Sequence, residues 1–365
     1  MKRKIIKTIS KIRSRVLYLI YYIFNVKKIE QLYDNEHKKG NLSYLSDDNY
    51  ESWKKSMLEC MKYHCLHGMT TTTKELWEYF PKANIIQIKS CKDNNSKITV
   101  CFCVKNDLSN VKYSLNYYRK NGIEHFCILD NGSTDGTFEY LSKQKDVELF
   151  SCIESCTVTK KVVWMNRLVS YCGLNKWYFL IDSDEIITYE GIEEHNFNEL
   201  ISYSECRGIE RIKGMMLDVY AKDSIFTNEN RKNYRYFDSD SYEIKYRKVG
   251  RIDLPIIIGG PRYRIMGIKN AISKHPILYF KKGMIYSTDH YQFPYDECID
   301  LPVMCCLLHY KFYRKFDKAF GIKDNNNDKF INQYNDEISF IYEKSKEYKS
   351  SYDLQSIELL DSIKW

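Results

Sequence analysis

The sequence predicts an α/β protein built around a mostly parallel central sheet with helices packed against it. Two observations carry this. Between residues 97 and 181, four apolar runs of strand length alternate with segments whose apolar residues recur at steps of three and four, the pattern of strands joined by crossover helices. Two of the runs, His125–Leu129 and Trp177–Ile181, pass directly into acids, as buried parallel strands do where they leave the core at a ligand-binding edge.

Taken in order, Ile98–Val104 (ITVCFCV) is a buried strand ending at Lys105, Asn106 and Asp107. Leu108, Val111, Leu115 and Tyr118 then mark a helix face that Asn121-Gly122 terminates. His125–Leu129 breaks into DNGSTDGT at 130–137, where Gly132 and Gly136 permit a tight turn. A short helix around Phe138 and Leu141 leads to a strand at Val147–Phe150. Val162, Met165, Val169 and Cys172 mark the next helix, and Trp177–Ile181 runs into Asp182, Ser183, Asp184 and Glu185. Three carboxylates in four residues repel one another unless a cation sits among them, and a divalent ion held through oxygen is the usual solution; an acidic surface turn is the competing reading. All carboxyl ends of a parallel sheet share one edge, so Asp130 and the acids at 182–185 are expected to face one crevice. There is no G-x-x-x-x-G-K-[ST] and no G-x-G-x-x-G, so a phosphate bound there needs a metal and basic side chains.

In this order and spacing, VKND (Val104–Asp107), DNGSTDGT, the helix VVWMNRLVSYC and the strand ending in DSDE resemble the family 2 type of glycosyltransferase with the GT-A (Rossmann-like) fold. The match covers about residues 97–312. The resemblance implies a nucleotide-sugar half at 97–191 and an acceptor half at 192–312. It implies that Asp130 contacts the base or ribose of the donor, with Lys105 and Asn106 lining the same pocket. Asp182 and Asp184 would be the pair that holds Mn2+ or Mg2+ beside the diphosphate, Asp184 as the more direct ligand. Such an ion neutralises charge on the departing diphosphate. Alternatives stand beside these roles: an Asx turn for Asp130, a helix cap for Asp135, and an anchor rather than a catalytic acid for Glu185.

The acceptor half is less periodic. Asp218 lies inside the apolar run MMLDVY; a lone buried carboxylate is costly, its pKa tends upward, and it would suit a general base for an acceptor hydroxyl. A structural carboxylate is the other reading. Arg262 and Arg264 follow Gly259-Gly260, either as a flexible loop presenting cations to phosphate or as a surface turn. Lys274 in SKHPI meets the diphosphate or is an ordinary surface lysine. The resemblance implies a carboxy-terminal histidine at the metal or diphosphate, for which His290 and His309 are the candidates; an isolated histidine is otherwise structural.

Outside this region, residues 1–96 are expected to form a basic amphipathic helix and a helical extension, with a short helix at Lys74–Tyr79 ending before Pro81. Residues 313–365 are expected to be a charged helical segment with a solvated loop at 324–328. The formal charge of +8 is concentrated in seven cations among residues 1–15, which contain no acid. The rest is nearly neutral, which argues against nucleic-acid binding. Ile5, Ile9, Ile12, Val16, Leu19, Ile20 and Ile23 form one helical stripe, and the dense part, Val16–Phe24, would span roughly 14 Å against the roughly 30 Å of a bilayer core. No small-residue cleavage site follows. Residues 1–24 are therefore expected either to lie on an anionic membrane surface or to pack on the protein's own core. Thirteen cysteines without a C-x-x-C pair argue against a zinc site and suit a reducing cytosol.

The expectation is an inverting, metal-dependent glycosyltransferase in the cytoplasm or at the inner face of the cytoplasmic membrane. It would use a nucleotide-sugar donor such as a UDP-linked one, and a glycan or glycolipid acceptor in cell-surface polysaccharide synthesis. The rivals are a nucleotidyltransferase of related topology, whose glycine- and arginine-rich loop would stand where VKND does, and a non-catalytic membrane or assembly module with a relic site.

Overall fold

The computed structural model describes residues 2–68, 71–91, 96–222, 231–311 and 343–365. Three helices come first: α1 (Lys2–Lys38), α2 (Asp47–His67) and α3 (Thr71–Tyr79). The alternating region follows as β1 (Ile86–Lys89), β2 (Ile98–Val104), α4 (Leu108–Lys120), β3 (Phe126–Asp130), α5 (Thr137–Ser142), β4 (Val147–Ser151), α6 (Val158–Cys172) and β5 (Lys176–Leu180). After it come β6 (Glu185–Thr188), α7 (Phe197–Cys206), β7 (Arg211–Asp218), β8 (Tyr236–Asp238), β9 (Glu243–Val249), β10 (Ile252–Ile258), α8 (Pro261–Met266), β11 (Ser273–Phe280), β12 (Val303–His309) and β13 (Ser345–Glu347).

Nine strands form one sheet in the order β1-β4-β3-β2-β5-β11-β7-β12-β6. β4, β3, β2 and β5 are mutually parallel, as the apolar runs predict. β7 and β12 pair in parallel, whereas β11 lies antiparallel between β5 and β7, and β1 and β6 close the edges antiparallel. Six of the nine strands thus run one way, a mostly parallel sheet. The inserted antiparallel β11 sets the start of that strand among the carboxyl ends of its neighbours.

One face of the sheet packs against α4 and α7 through Val111, Leu115, Tyr118, Phe197 and Leu200. The other packs against α6, α2 and α3 through Trp164, Leu168, Trp53 and Trp77, so the amino-terminal helices share a core with the sheet. The two possibilities for α1 resolve in an unexpected way. Its tyrosine side turns inward, with Tyr21 and Tyr22 packed on the body and Tyr21 bonded to Glu78. The described part of the apolar stripe, Val16, Leu19, Ile20 and Ile23, is exposed, as are Leu17 and Phe24. No helix among the described residues is long and apolar enough to cross a membrane.

Residues 343–365 depart from the helical expectation. They form β13 and a 3-10 turn at Ser351–Ser356, and they lie along β6 and the turn after it through Tyr348–Thr188 and Ser351–Gly191 hydrogen bonds. The loop expected at 324–328 lies outside the described residues.

Candidate functional site

The carboxyl ends of β3, β2, β5, β7 and β12 share one edge and deliver Asp130, Lys105, Asp182, Asp218 and His309 in that order. Neighbouring strands lie about 4.8 Å apart, which sets Asp130 and Asp182, on either side of β2, roughly 10 Å apart. Three staples fix the loops. Asn106, at φ +51°, accepts from the Thr134 backbone N–H, and its own N–H donates to Ser133 Oγ. Ser183, between the two aspartates, donates to Asp107 Oδ2 at 2.5 Å. Asp135 caps the start of α4 by accepting from Leu108 N–H, as its cap reading requires. The first loop is therefore tied to both acid-bearing loops; Asn106 acts through its neighbours, and Lys105 stands exposed beside it.

Asp130 is buried. Its Oδ2 accepts from the Ser133 N–H, an Asx turn as one reading required, but its Oδ1 is buried without a hydrogen-bond partner. A buried acceptor left open costs free energy unless a ligand fills it, so one oxygen of this carboxylate holds the turn while the other stays open to a ligand.

The four acids and histidines proposed around the metal separate into two sets. Asp182 is bonded to Lys161 through Oδ1 and lies 3.8 Å from Lys274 through Oδ2. Burial would raise its pKa, but these two lysines outweigh that and hold it well below the carboxylate range. Asp184 instead faces His309: Oδ2 lies 3.9 Å from Nε2, and Tyr310 N–H donates to the Asp184 carbonyl. His309 Nδ1 donates to Asp218 Oδ1 at 2.6 Å, which leaves the Nε2 lone pair toward Asp184. A carboxylate fixing the far nitrogen of a metal-binding histidine is a recurrent support for such ligands. A divalent cation with bonds of about 2.0–2.2 Å to oxygen and nitrogen would draw these two atoms from 3.9 Å to roughly 3–3.5 Å apart, a small side-chain closure. His290 belongs elsewhere. Its Nδ1 donates to the Ser273 carbonyl, and its Nε2 lies 3.9 Å from Asp289.

Several expectations need correction. Asp218 is not a lone carboxylate. Arg262 on α8 grips it in a two-pronged bond, at 2.6 Å to Oδ2 and 3.1 Å to Oδ1. Burial alone would raise its pKa, but Arg262 and His309 hold it well below the usual range, so the upward shift that favoured a general base does not occur. Arg262 and Arg264 are not loose cations either, because Arg264 forms the same two-pronged bond with Asp238 at 3.0 Å. Glu185 is fully engaged: Oε1 meets Lys274 at 2.5 Å and Oε2 accepts from Asp182 N–H. It holds the acidic turn in shape.

Lys274 is no surface lysine. It is buried among Glu185, Asp289 at 3.3 Å and Asp182. Burial works against its charge, yet these carboxylates raise its pKa well above the lysine norm. Lys161 and Asp289 complete this cluster and escaped the sequence reading, as did Arg231, whose guanidinium lies 3.8 Å and 3.5 Å from the ring centres of Tyr113 and Tyr310. None sits in a recognisable motif. Lys161 could have been found only as a polar residue one turn inside a helix aimed at the acidic edge.

No family model matches the chain, and no curated protein matches it. Solved structures do. The crystal structure of S. aureus TarS 1-349 is similar at 14% identity over 36% of this chain and 40% of that one, with a TM-score of 0.27. The mannosyltransferase PcManGT from Pyrobaculum calidifontis, in complex with GDP-Man and Mn2+, is similar at 12% identity over 46% and 48%, with a TM-score of 0.25. The chain spans less than half the length of either, and likeness at this level carries no functional argument; the reading of the site rests on its own geometry.

Proposed function

We propose that the chain is a metal-dependent glycosyltransferase that moves a sugar from a nucleotide-sugar donor to a hydroxyl of a glycan or glycolipid, with inversion at the anomeric carbon. One observation carries this reading: the open Oδ1 of buried Asp130 and the Asp184–His309–Asp218 relay occupy a single sheet edge. Asp130 Oδ1 takes a hydroxyl or N–H of the nucleoside. Asp184 and His309 hold Mn2+ or Mg2+, which when bound neutralises charge on the diphosphate. Lys161 and Lys274 neutralise Asp182 beside that position, which reduces its repulsion of the negative charge that develops on the leaving diphosphate. Asp218 orients His309. Neither Asp218 nor Glu185 is assigned the proton of the acceptor hydroxyl, because both are held by cations. The exposed stripe of α1, with Arg13, Arg15, Lys27 and Lys28 along the same helix, rests on the anionic inner face of the cytoplasmic membrane.

Titration calorimetry with UDP- and GDP-sugars, with and without Mn2+, tests this. Metal-dependent binding that Asp184→Ala removes supports the reading. Absence of such binding with every donor makes the site a relic, and turnover of a nucleoside triphosphate with a sugar phosphate makes the chain a nucleotidyltransferase.

A further inference from the structure

On the sheet face covered by α6, away from the acidic edge, a second set of metal-ligating atoms comes together. Cys127 lies on β3, Glu148 on β4 and Cys172 at the end of α6; all three are buried, and one ligand atom from each lies within 4.8 Å of the others. Side chains two apart on a strand share a face, so His125, just ahead of β3, projects to the same side as Cys127. Its Nε2 lies 3.9 Å from Glu148 Oε1 and is buried without a hydrogen-bond partner. Its Nδ1 is 2.8 Å from the buried Thr99 hydroxyl. With Nδ1–H donating to Thr99, Nε2 turns a lone pair into the cluster.

We propose that Cys127, Cys172, Glu148 and His125 bind a structural Zn2+ ion. The chemistry is that of a closed tetrahedral zinc site, with two sulfurs, one nitrogen and one carboxylate oxygen and no place left for water. Zinc bond lengths put tetrahedral donors roughly 3.3–3.8 Å apart. Cys172 Sγ lies 3.7 Å from Glu148 Oε2, and His125 Nε2 lies 3.9 Å from Oε1 of the same carboxylate, so the carboxylate stands between sulfur and nitrogen and must turn a single oxygen to the ion as the ligands close on it. Thr99 supplies the hydrogen bond that fixes the tautomer of a metal-bound histidine. Of the four residues, His125 alone also borders a cavity of about 680 Å³, lined further by Lys89, Cys91, Lys145 and Asp146. The spacing rules for zinc motifs miss this set because the ligands come from three separate elements, the β3 segment, β4 and α6. The ion would tie the carboxyl end of α6 to β3 and β4, eleven residues and roughly 16 Å along the helix from Lys161, which grips Asp182. It would thereby stiffen the helix that presents that lysine.

The full chain, grown with added zinc and purified without chelator or histidine tag, is assayed by inductively coupled plasma mass spectrometry. About one zinc per chain is expected, falling to below about a tenth in Cys127→Ser/Cys172→Ser and unchanged in Asp184→Ala. Replacement of the metal by Co2+ in the wild type is expected to give a thiolate-to-cobalt charge-transfer band. Zinc retained by the double serine variant overturns the proposal, as does wild-type protein with neither zinc nor the thiolate band. The cobalt spectrum needs no variant, so it decides the matter even if the serine protein does not fold.

Discussion

Replacing Lys274 with methionine keeps the length of the side chain and removes its charge. Three carboxylates lose their common cation, but they do not weigh equally. Glu185 is 1% exposed and lies 2.5 Å away, whereas Asp182 and Asp289 are 29% and 37% exposed, so solvent screens the latter pairs to about 1 kcal/mol or less each. The Glu185 pair dominates. Breaking a buried pair by deleting one partner costs about 3–5 kcal/mol, because the remaining charge stays buried. With a urea dependence of about 3 kcal/mol per molar, the unfolding midpoint should fall by about 1–1.7 M. The pH dependence gives a second check. Burial would raise the pKa of Asp289, but Lys274 leads the charges that hold it down to about 2. The wild type therefore has this contribution in full above the unfolded carboxylate pKa of about 4 and loses it as pH falls toward 2. In the methionine variant the unpaired carboxylates take up protons as pH falls, so the gap between the two proteins should narrow below about pH 5. Urea titrations followed by tryptophan fluorescence at about pH 7, 6, 5, 4 and 3 measure both effects. An unchanged midpoint at pH 7, or a gap that does not vary with pH, would refute the assignment of Lys274 as the central cation of the cluster.

Arg262→Met should cost a similar 3–5 kcal/mol at pH 7 by leaving Asp218 with His309 alone. Because the Asp218 pKa is depressed in the native state, that deficit should shrink below about pH 4, which acid-dependent thermal melts will read. Asp184→Ala should abolish Mn2+-dependent donor binding while leaving the melting temperature within a few degrees; calorimetry and circular dichroism together separate the two. Asp130→Ala should weaken nucleoside diphosphate binding about tenfold, the worth of one hydrogen bond to a charged group, with a larger effect on KM than on kcat; an unchanged KM counts against the donor role. Deleting residues 2–24 should release the chain from vesicles of anionic phospholipid in a flotation assay without altering donor binding, and equal flotation of both proteins rejects α1 as the membrane contact.

The legible part of the fold is the part whose sequence pattern has a single physical meaning. β2, β3 and β5 are buried on both faces and read as unbroken apolar runs. The antiparallel strands did not stand out. β11 contains Pro276 and shifts register between Lys274 and Ile277, and a proline inside a run argues against a strand. β6 is four residues long and begins on Glu185 itself, so it hid behind the acidic motif. The site shows the same division. Asp130 and Asp184 announce themselves by their place at strand ends, whereas the state of Asp218 depends on Arg262, 44 positions later, and that of Asp182 on Lys161, 21 positions earlier. A carboxylate's partner is a property of the fold, and reading Asp218 as solitary inverted the direction of its shift.

The last strand of the sheet, β6, carries Glu185, and α4 already occupies the backbone of Ile187 on the same strand, whose N–H donates to the Tyr118 hydroxyl and whose carbonyl accepts from the Tyr117 hydroxyl. Residues 343–365 lie alongside it, with Tyr348 on Thr188 and Ser351 on Gly191. A covered flank cannot recruit a foreign chain by strand addition. The rim nearest the chemistry is thus shielded from two sides, by the α4 tyrosines and by residues 343–365, and loss of the latter alone would leave Ile187 occupied while freeing Thr188 and Gly191.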